Sequence, residues 1–207
     1  MKTNPISRRK FLSAAATTMT AVVIVACAPR ASAPPSGEEP AGMPPLEPGQ
    51  TVKLLVVYDS VYGNTAQIAE ALIEGGSVHP DSRVYKVTEG APGGLEGIDL
   101  LLVGSPTHGG TFTEPVKNFL AAIPKDGLRG MRAAAFDTSF SEETQTGLAK
   151  FAISLFGCAA PKIGEQLSAK GASLVAAETF IVLDTEGPLQ AGELERARAW
   201  VQGLIGG

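Results

Sequence analysis

The chain has 207 residues, of which 44% are hydrophobic and 18% charged, a balance that excludes disordered, collagenous and disulfide-framed classes. Lys and Arg number 17 against 21 Asp and Glu. Four of the basic residues, Lys2, Arg8, Arg9 and Lys10, precede Cys27, so the remainder carries 13 basic against 21 acidic residues, a net charge of −8 that excludes nucleic acid as an expected partner.

The N-terminal segment comes first. Ser7-Arg8-Arg9-Lys10-Phe11-Leu12 resembles a twin-arginine export motif, and the charge-free run from Ser13 to Ala26 behind it is too short and too rich in Ala and Thr for a membrane span. Ile24-Val25-Ala26-Cys27 resembles a lipobox, which implies a signal peptide over residues 1–27, lipidation of Cys27 and a membrane anchor. A cleavable signal cut after Ala31-Ser32-Ala33, or a retained anchor, is the other reading. Residues 28–50 hold Pro29, Pro34, Pro35, Pro40, Pro44, Pro45 and Pro48 without apolar periodicity, the composition of an extended linker. Residues 51–207 remain for one domain, long enough to bury roughly two-thirds of its unfolded surface. The resemblance implies an exported protein, periplasmic or on the outer face of the cell membrane. Proteins sent by the twin-arginine route are folded and often carry a cofactor.

Within the domain, Val52 to Tyr58 is an almost continuous apolar run, the pattern of a strand buried on both faces of a parallel sheet. Thr65 to Ile73 then sets Ile68, Ala69, Leu72 and Ile73 on one helical face, ended by Gly75-Gly76. Further strands are predicted at Arg83–Val87, Asp99–Val103, Arg132–Phe136 and Ser173–Leu183. Helices are predicted at Glu114–Ile123, at Thr146–Phe156 continuing through Lys162–Lys170, and at Gly192–Ile205. Strands alternating with helices predict an α/β fold, a three-layer, doubly wound, five-stranded parallel sheet. Ligands of such sheets bind beyond the carboxyl ends of the strands. Three loops should therefore form the site: Asp59 to Asn64, Ser105 to Thr113, and Asp137 to Thr144.

The first loop, Ser60-Val61-Tyr62-Gly63-Asn64-Thr65, joins a buried strand to a helix N-terminus, where free N–H groups and the helix dipole attract an anion. No Lys or Arg occurs between Leu54 and Ser82. Neither a Gly-Lys-Ser/Thr triplet nor GxGxxG follows the strand, so a monophosphate held by neutral donors fits better than a triphosphate or dinucleotide. The second loop reads Ser105-Pro106-Thr107-His108-Gly109-Gly110-Thr111, and the third Asp137-Thr138-Ser139-Phe140.

On these three segments the chain resembles the flavodoxin family, whose first loop is rich in hydroxyls and ends in Gly-Asn-Thr. Ser60, Gly63, Asn64 and Thr65 match that pattern; Val61 and Tyr62 stand where the family commonly has threonines. The resemblance covers residues 51–207 without a long insertion in the last strand, which suggests the short-chain type. It implies flavin mononucleotide (FMN) as cofactor, with the phosphate on residues 60–65 and the ring between residues 105–110 and 137–140. It also implies that a peptide at Gly109 or Gly110 turns over as the flavin N5 gains a proton. His108, where an aromatic is usual, would stack on the ring or bond its edge, and Phe140 is the candidate stacking residue. Asp59, Glu114, Asp137, Glu142 and Glu143 would surround the flavin with negative charge and lower its second reduction potential.

The implied function is electron transfer through the flavin semiquinone, between this protein and a basic redox protein or a membrane-bound dehydrogenase. An FMN-dependent quinone or nitro-compound reductase and a flavin-binding protein without redox partners are the alternatives. Whether the protein is an enzyme with its own substrate stays open. Cys158 reads as a buried, inert thiol and Trp200 as a core residue, with no metal site expected.

Overall fold

The computed structural model describes residues 51–76, 79–89, 94–140 and 157–206. The signal and linker segments, the predicted helix over residues 146–156, and Glu142 and Glu143 lie outside the described residues.

Five parallel strands form one sheet in the order β2-β1-β3-β4-β5. They are β1 (Leu54–Tyr58), β2 (Arg83–Lys86), β3 (Leu100–Pro106), β4 (Arg132–Phe140) and β5 (Ser173–Val182). Helices α1 (Asn64–Glu74), α2 (Glu114–Ala122), α3 (Ala159–Ala169) and α4 (Glu193–Gly206) cover the two faces. This is the three-layer, doubly wound sheet expected from the alternating pattern. The chain order reverses direction between β1 and β3, and the crevice at that switch is the ligand position of such folds.

Strand alternation divides the core. Leu55, Val57, Leu101, Val103, Ala133 and Ala135 pack with α2 and α3 on one face. Leu54, Val56, Leu100, Leu102, Ala134 and Phe136 pack with α1 and α4 on the other. Because both faces are covered, the central strands read as unbroken apolar runs. Each fully buried leucine contributes on the order of 2 kcal/mol of transfer free energy. Gly104 is required by packing, since a Cβ there would lie 2.1 Å from the Phe136 ring on the neighbouring strand.

The flank beyond β5 is held by one ionic cluster. Arg196 on α4 bonds Glu178 on β5 at 2.6 Å, chelates Glu193, and lies 4.5 Å above the Phe180 ring. Glu193 in turn accepts the Ile181 N–H at 2.8 Å. These bonds to carboxylates outweigh burial and raise the Arg196 pKa above its ordinary value. Trp200 is packed into the same face and meets Phe180 edge-on at 5.9 Å.

Several boundaries differ from the sequence expectation, for physical reasons. Strands β3 and β4 run on to Pro106 and Phe140, so Ser105, Pro106 and Asp137 to Phe140 belong to the sheet and not to loops. Their polar side chains masked a strand whose backbone is paired on both sides: Asp137 stands between Ser105 of β3 and Thr179 of β5. Helix α3 begins afresh at Ala159, because Gly157 in the left-handed region and extended Cys158 interrupt the helix expected to continue through Lys162. Pro161 looks like a breaker, yet in a first turn its missing N–H has no helical acceptor to lose.

Candidate functional site

At the carboxyl end of β1 the chain enters a short loop through buried Asp59 and Ser60 and reaches α1 through Gly63, which sits in the left-handed region at φ 87°. The loop is braced from within. Ser60 Oγ accepts the N–H groups of Gly63 at 3.1 Å and of Ala66 at 3.3 Å. Thr65, buried, shares a hydroxyl–hydroxyl bond of 2.8 Å with Thr138 of β4. Asn64 donates to the carbonyl of Glu186 at 3.1 Å, and a Cβ on Gly187 would meet its amide oxygen at 2.6 Å. Asn64 thus clamps the loop after β5 against the mouth of the site.

What this bracing leaves over is a set of free donors. No hydrogen bond among the described residues uses the N–H groups of Val61, Tyr62, Asn64 or Thr65. Ser60, which accepts two bonds, keeps its own hydroxyl proton to donate. Four amides and a hydroxyl at the positive end of a helix make an anion cradle. Space for an anion exists as well, for a Cβ built on Gly63 would touch nothing within 4 Å. The departures from the hydroxyl-rich pattern are visible too, since Val61 and Tyr62 are 55% and 50% exposed. The donor set fits a monophosphate.

The second loop is a tight hairpin. His108 and Thr111 exchange N–H···O bonds at 2.8 and 3.2 Å, with Gly109 and Gly110 between them at φ 59° and 76°. Positive φ at both central residues is the geometry of two-residue hairpin turns, and glycine adopts it without strain. Its base is tied to β4 by the Thr107 N–H on the Thr138 carbonyl at 2.9 Å. Its outgoing limb is held by Ser105 Oγ, which accepts the Thr113 N–H at 3.0 Å ahead of α2. His108 is exposed at the rim.

The third segment occupies the end of β4. Thr138 and Ser139 are buried, and Phe140 is half-buried at the strand's last position. Asp137 is fully buried, and its Oδ2 accepts from Thr107 Oγ1 at 2.6 Å, Ala159 N at 2.5 Å and Ala160 N at 3.1 Å. Its side chain therefore serves the N-terminus of α3. Burial pushes the Asp137 carboxyl above the usual carboxylate range, against the opposing effect of Thr107, Thr179 and the two backbone donors. Oδ1 is buried and completes no hydrogen bond among the described residues. Cys158 is half-buried at the N-cap of α3, not sealed in the core as its apolar neighbours suggested.

Three of the charged groups expected around the site can be placed. Asp59 is buried beside the first loop. Glu114 is exposed and paired with Lys117 at 3.2 Å. Asp137 lies beneath the hairpin. Next to Asp59, burial raises the Tyr58 phenol pKa, and the carboxylates of Glu89, Glu70 and Asp59 add to the effect. Lys162 on α3 was not singled out in the sequence, yet its Nζ reaches the Gly110 carbonyl at 2.5 Å. Its spacing three residues beyond Ala159 on a helix facing the hairpin was the available signal, hidden because the expected helix ran through this region without a start at Ala159. No group of three or more His, Cys, Asp or Glu suited to a metal occurs among the described residues.

A family model described as Flavodoxin matches residues 56–200. The chain belongs to the flavodoxin family. Among curated relatives, it is 35% identical over 98 residues to the type A flavoprotein fprA of Rhodobacter capsulatus, covering 44% of this chain and 22% of that protein. It is 34% identical over 90 residues to the putative diflavin flavoprotein A 5 of a Nostoc species, covering 41% of this chain and 16% of that one. The match thus spans about a fifth of those relatives or less. Solved structures share the fold. A flavodoxin from the domain Archaea superposes with a TM-score of 0.54 at 22% identity over 74% of this chain and 96% of that one. A short-chain flavodoxin associated with a bacterial microcompartment gives 0.57 at 18% identity, over 75% and 97%. β5 is continuous from Ser173 to Val182.

Proposed function

We propose that this flavodoxin-family domain binds FMN and carries electrons singly between redox partners. The observation that carries the reading is the open N-terminus of α1: four unused amides, the Ser60 hydroxyl and no cation, beside a glycine hairpin at the sheet's switch point. The relatives named as flavoproteins support a flavin as the group held there. Bound flavin supplies the redox chemistry, and the chain's part is to bind it, orient it and bias its potential. Residues 60–65 hold the phosphate. The hairpin from Thr107 to Thr111 and the end of β4 at Thr138 to Phe140 flank the ring, with His108 and Phe140 as its side-chain contacts.

In the hairpin, the peptide joining Gly109 to Gly110 is the one suited to turn over, because neither its C=O nor its N–H is bonded among the described residues. Lys162 holds the next carbonyl, that of Gly110. Glycine at both positions keeps the alternative turn accessible.

The reading extends to the cell. A twin-arginine signal over residues 1–27, a lipid on Cys27 and a proline-rich linker would tether the acidic domain outside the cytoplasm. A basic redox protein or a membrane-bound dehydrogenase would then meet it under electrostatic steering that salt weakens. Protein purified from the exported fraction should be yellow, bind FMN stoichiometrically, and titrate in two resolved one-electron steps. A colourless protein that cannot be loaded with FMN would refute the cofactor. Rapid NAD(P)H oxidation with a quinone acceptor would replace the carrier by a reductase.

A further inference from the structure

Helix α3 touches the flavin hairpin at two points that the phosphate cradle does not need. At the base, Asp137 Oδ2 gathers Thr107 Oγ1 at 2.6 Å, Ala159 N at 2.5 Å and Ala160 N at 3.1 Å. Thr107 Oγ1 also accepts the Ala159 N–H at 2.9 Å, closing a ring of bonds between the hairpin's first residue and the first turn of α3. At the tip, Lys162 Nζ donates to the Gly110 carbonyl at 2.5 Å. These contacts join segments 22 to 52 residues apart, so they do not follow from local chain geometry.

We propose that Asp137 and Lys162 form a two-point latch that fixes the hairpin to α3, making them positioning residues for the flavin ring. The latch holds Thr107 and the Gly110 carbonyl and leaves the Gly109–Gly110 peptide to move alone. It does this without requiring either side chain to touch the ligand. A buried carboxylate accepting two helix N-terminal amides is bound strongly by charge-assisted hydrogen bonds and by the helix dipole. A hairpin built on two glycines has little rigidity of its own and takes it from what it is tied to.

The base of the latch responds to pH. The ionisable groups on the elements around Asp137 are Cys158, Lys162 and the exposed Glu165 on α3 and His108 in the hairpin. From β5 it is faced by Thr179; Glu178 next along that strand is turned to Arg196 on the opposite face. From β3 the neighbour in register is Ser105. Burial keeps the carboxyl protonated to higher pH than usual. Oδ1, which has no partner, is then the oxygen that carries the proton, and loss of that proton tightens the bonds to Oδ2.

The inference rests on the FMN reading for its functional consequence, but the latch is testable without flavin. Amide hydrogen exchange is measured on the full-length protein and on Asp137→Asn, Lys162→Met and the double variant, with and without FMN. Asp137→Asn preserves shape and an acceptor oxygen while removing the titration, so it keeps the support for α3 that Asp137→Ala removes. Each single variant should speed exchange at His108 and Thr111, whose amides close the hairpin, about tenfold, the effect of one hydrogen bond weakened by about 1.4 kcal/mol, while β1 and β3 stay protected. Corrected for intrinsic exchange, the wild-type hairpin should show a step as Asp137 titrates, and Asp137→Asn should abolish it. With FMN bound, the pH at which the midpoint potential changes slope should coincide with that step. Altered exchange at Ala159 and Ala160 with an unaltered hairpin would overturn the proposal and leave Asp137 as a helix cap alone. A wild-type protein that takes no FMN would refute the cofactor and leave the exchange experiment to judge the latch by itself.

Discussion

Two helices begin at the same end of this sheet, and their N-termini have opposite fates. α1 starts at Asn64 with the amides of Val61, Tyr62, Asn64 and Thr65 unused among the described residues. α3 starts at Ala159 with its first two amides already bound to the protein's own carboxylate, Asp137. Both ends attract an anion by the same physics. The difference is that one is filled from within, so that of these two ends only α1 is left open to an external phosphate.

The largest expected effect comes from unplugging α3. Asp137→Ala removes the partner of the Ala160 N–H and one of the two partners of the Ala159 N–H in a buried setting, and should destabilise the protein by about 2 kcal/mol in urea denaturation. It should also make α3 resemble α1: sulfate or phosphate should stabilise the variant more than the wild type. Equal anion responses would show that the carboxylate is not occupying an anion seat. The sign of the pH dependence follows from the raised Asp137 pKa. Between the ordinary carboxylate pKa and the raised folded value, the native state holds a proton that the unfolded chain has lost, so stability falls as pH rises through that window. Below the window the carboxyl is neutral in both states and the penalty disappears. Asp137→Asn should flatten this slope in denaturation measured from pH 4 to 8.

Next in size is strain at the open seat. Gly63→Ala meets no steric obstacle, so its effect isolates the left-handed backbone at φ 87°. The expected loss is about 1–2 kcal/mol of stability, with weaker FMN binding by fluorescence titration. Riboflavin, which lacks the phosphate, should lose much less. A parallel loss for both ligands would place the fault in the ring site. Ser60→Ala is milder: it removes the acceptor for Gly63 and Ala66 and a donor for the ligand, at about 1 kcal/mol each. Again the discrimination between FMN and riboflavin should shrink.

The contrast between the two helix ends also explains what could be read from sequence. The α1 seat was legible because its determinants are contiguous: a buried apolar strand, a serine, a glycine, and an apolar helical face from Ile68 to Leu72. The α3 plug was not, because its parts are 22 residues apart and only the sheet brings Asp137 under the helix. A helix whose cap comes from a distant strand carries no local start signal, and the expected helix ran on through Gly157 and Cys158 instead of starting at Ala159. Likewise Asp137 to Phe140 read as a loop because polar residues at a strand's end look like turn chemistry, while the neighbours that pair them, Ser105–Pro106 and Thr179–Val182, are invisible locally. The alternating core, by contrast, follows from periodicity alone.

The smallest expected effect tests the one place where the open seat departs from its family's pattern. Val61 and Tyr62 are about half exposed and bury little, so replacing both by threonine should change stability by no more than about 0.5 kcal/mol. Two added hydroxyls at the α1 N-terminus would each supply a neutral donor toward the phosphate, worth about 0.5–1.5 kcal/mol if both geometry and desolvation are favourable. FMN affinity should rise several-fold while riboflavin affinity stays unchanged. If affinity does not rise, the backbone amides already saturate the phosphate, and the exposed apolar pair is free to serve the surface around the site. If it rises, the native loop holds its phosphate with fewer side-chain donors than the helix end can accommodate. Either result measures how much of the seat belongs to the backbone, the part of α1 that α3 has given over to Asp137.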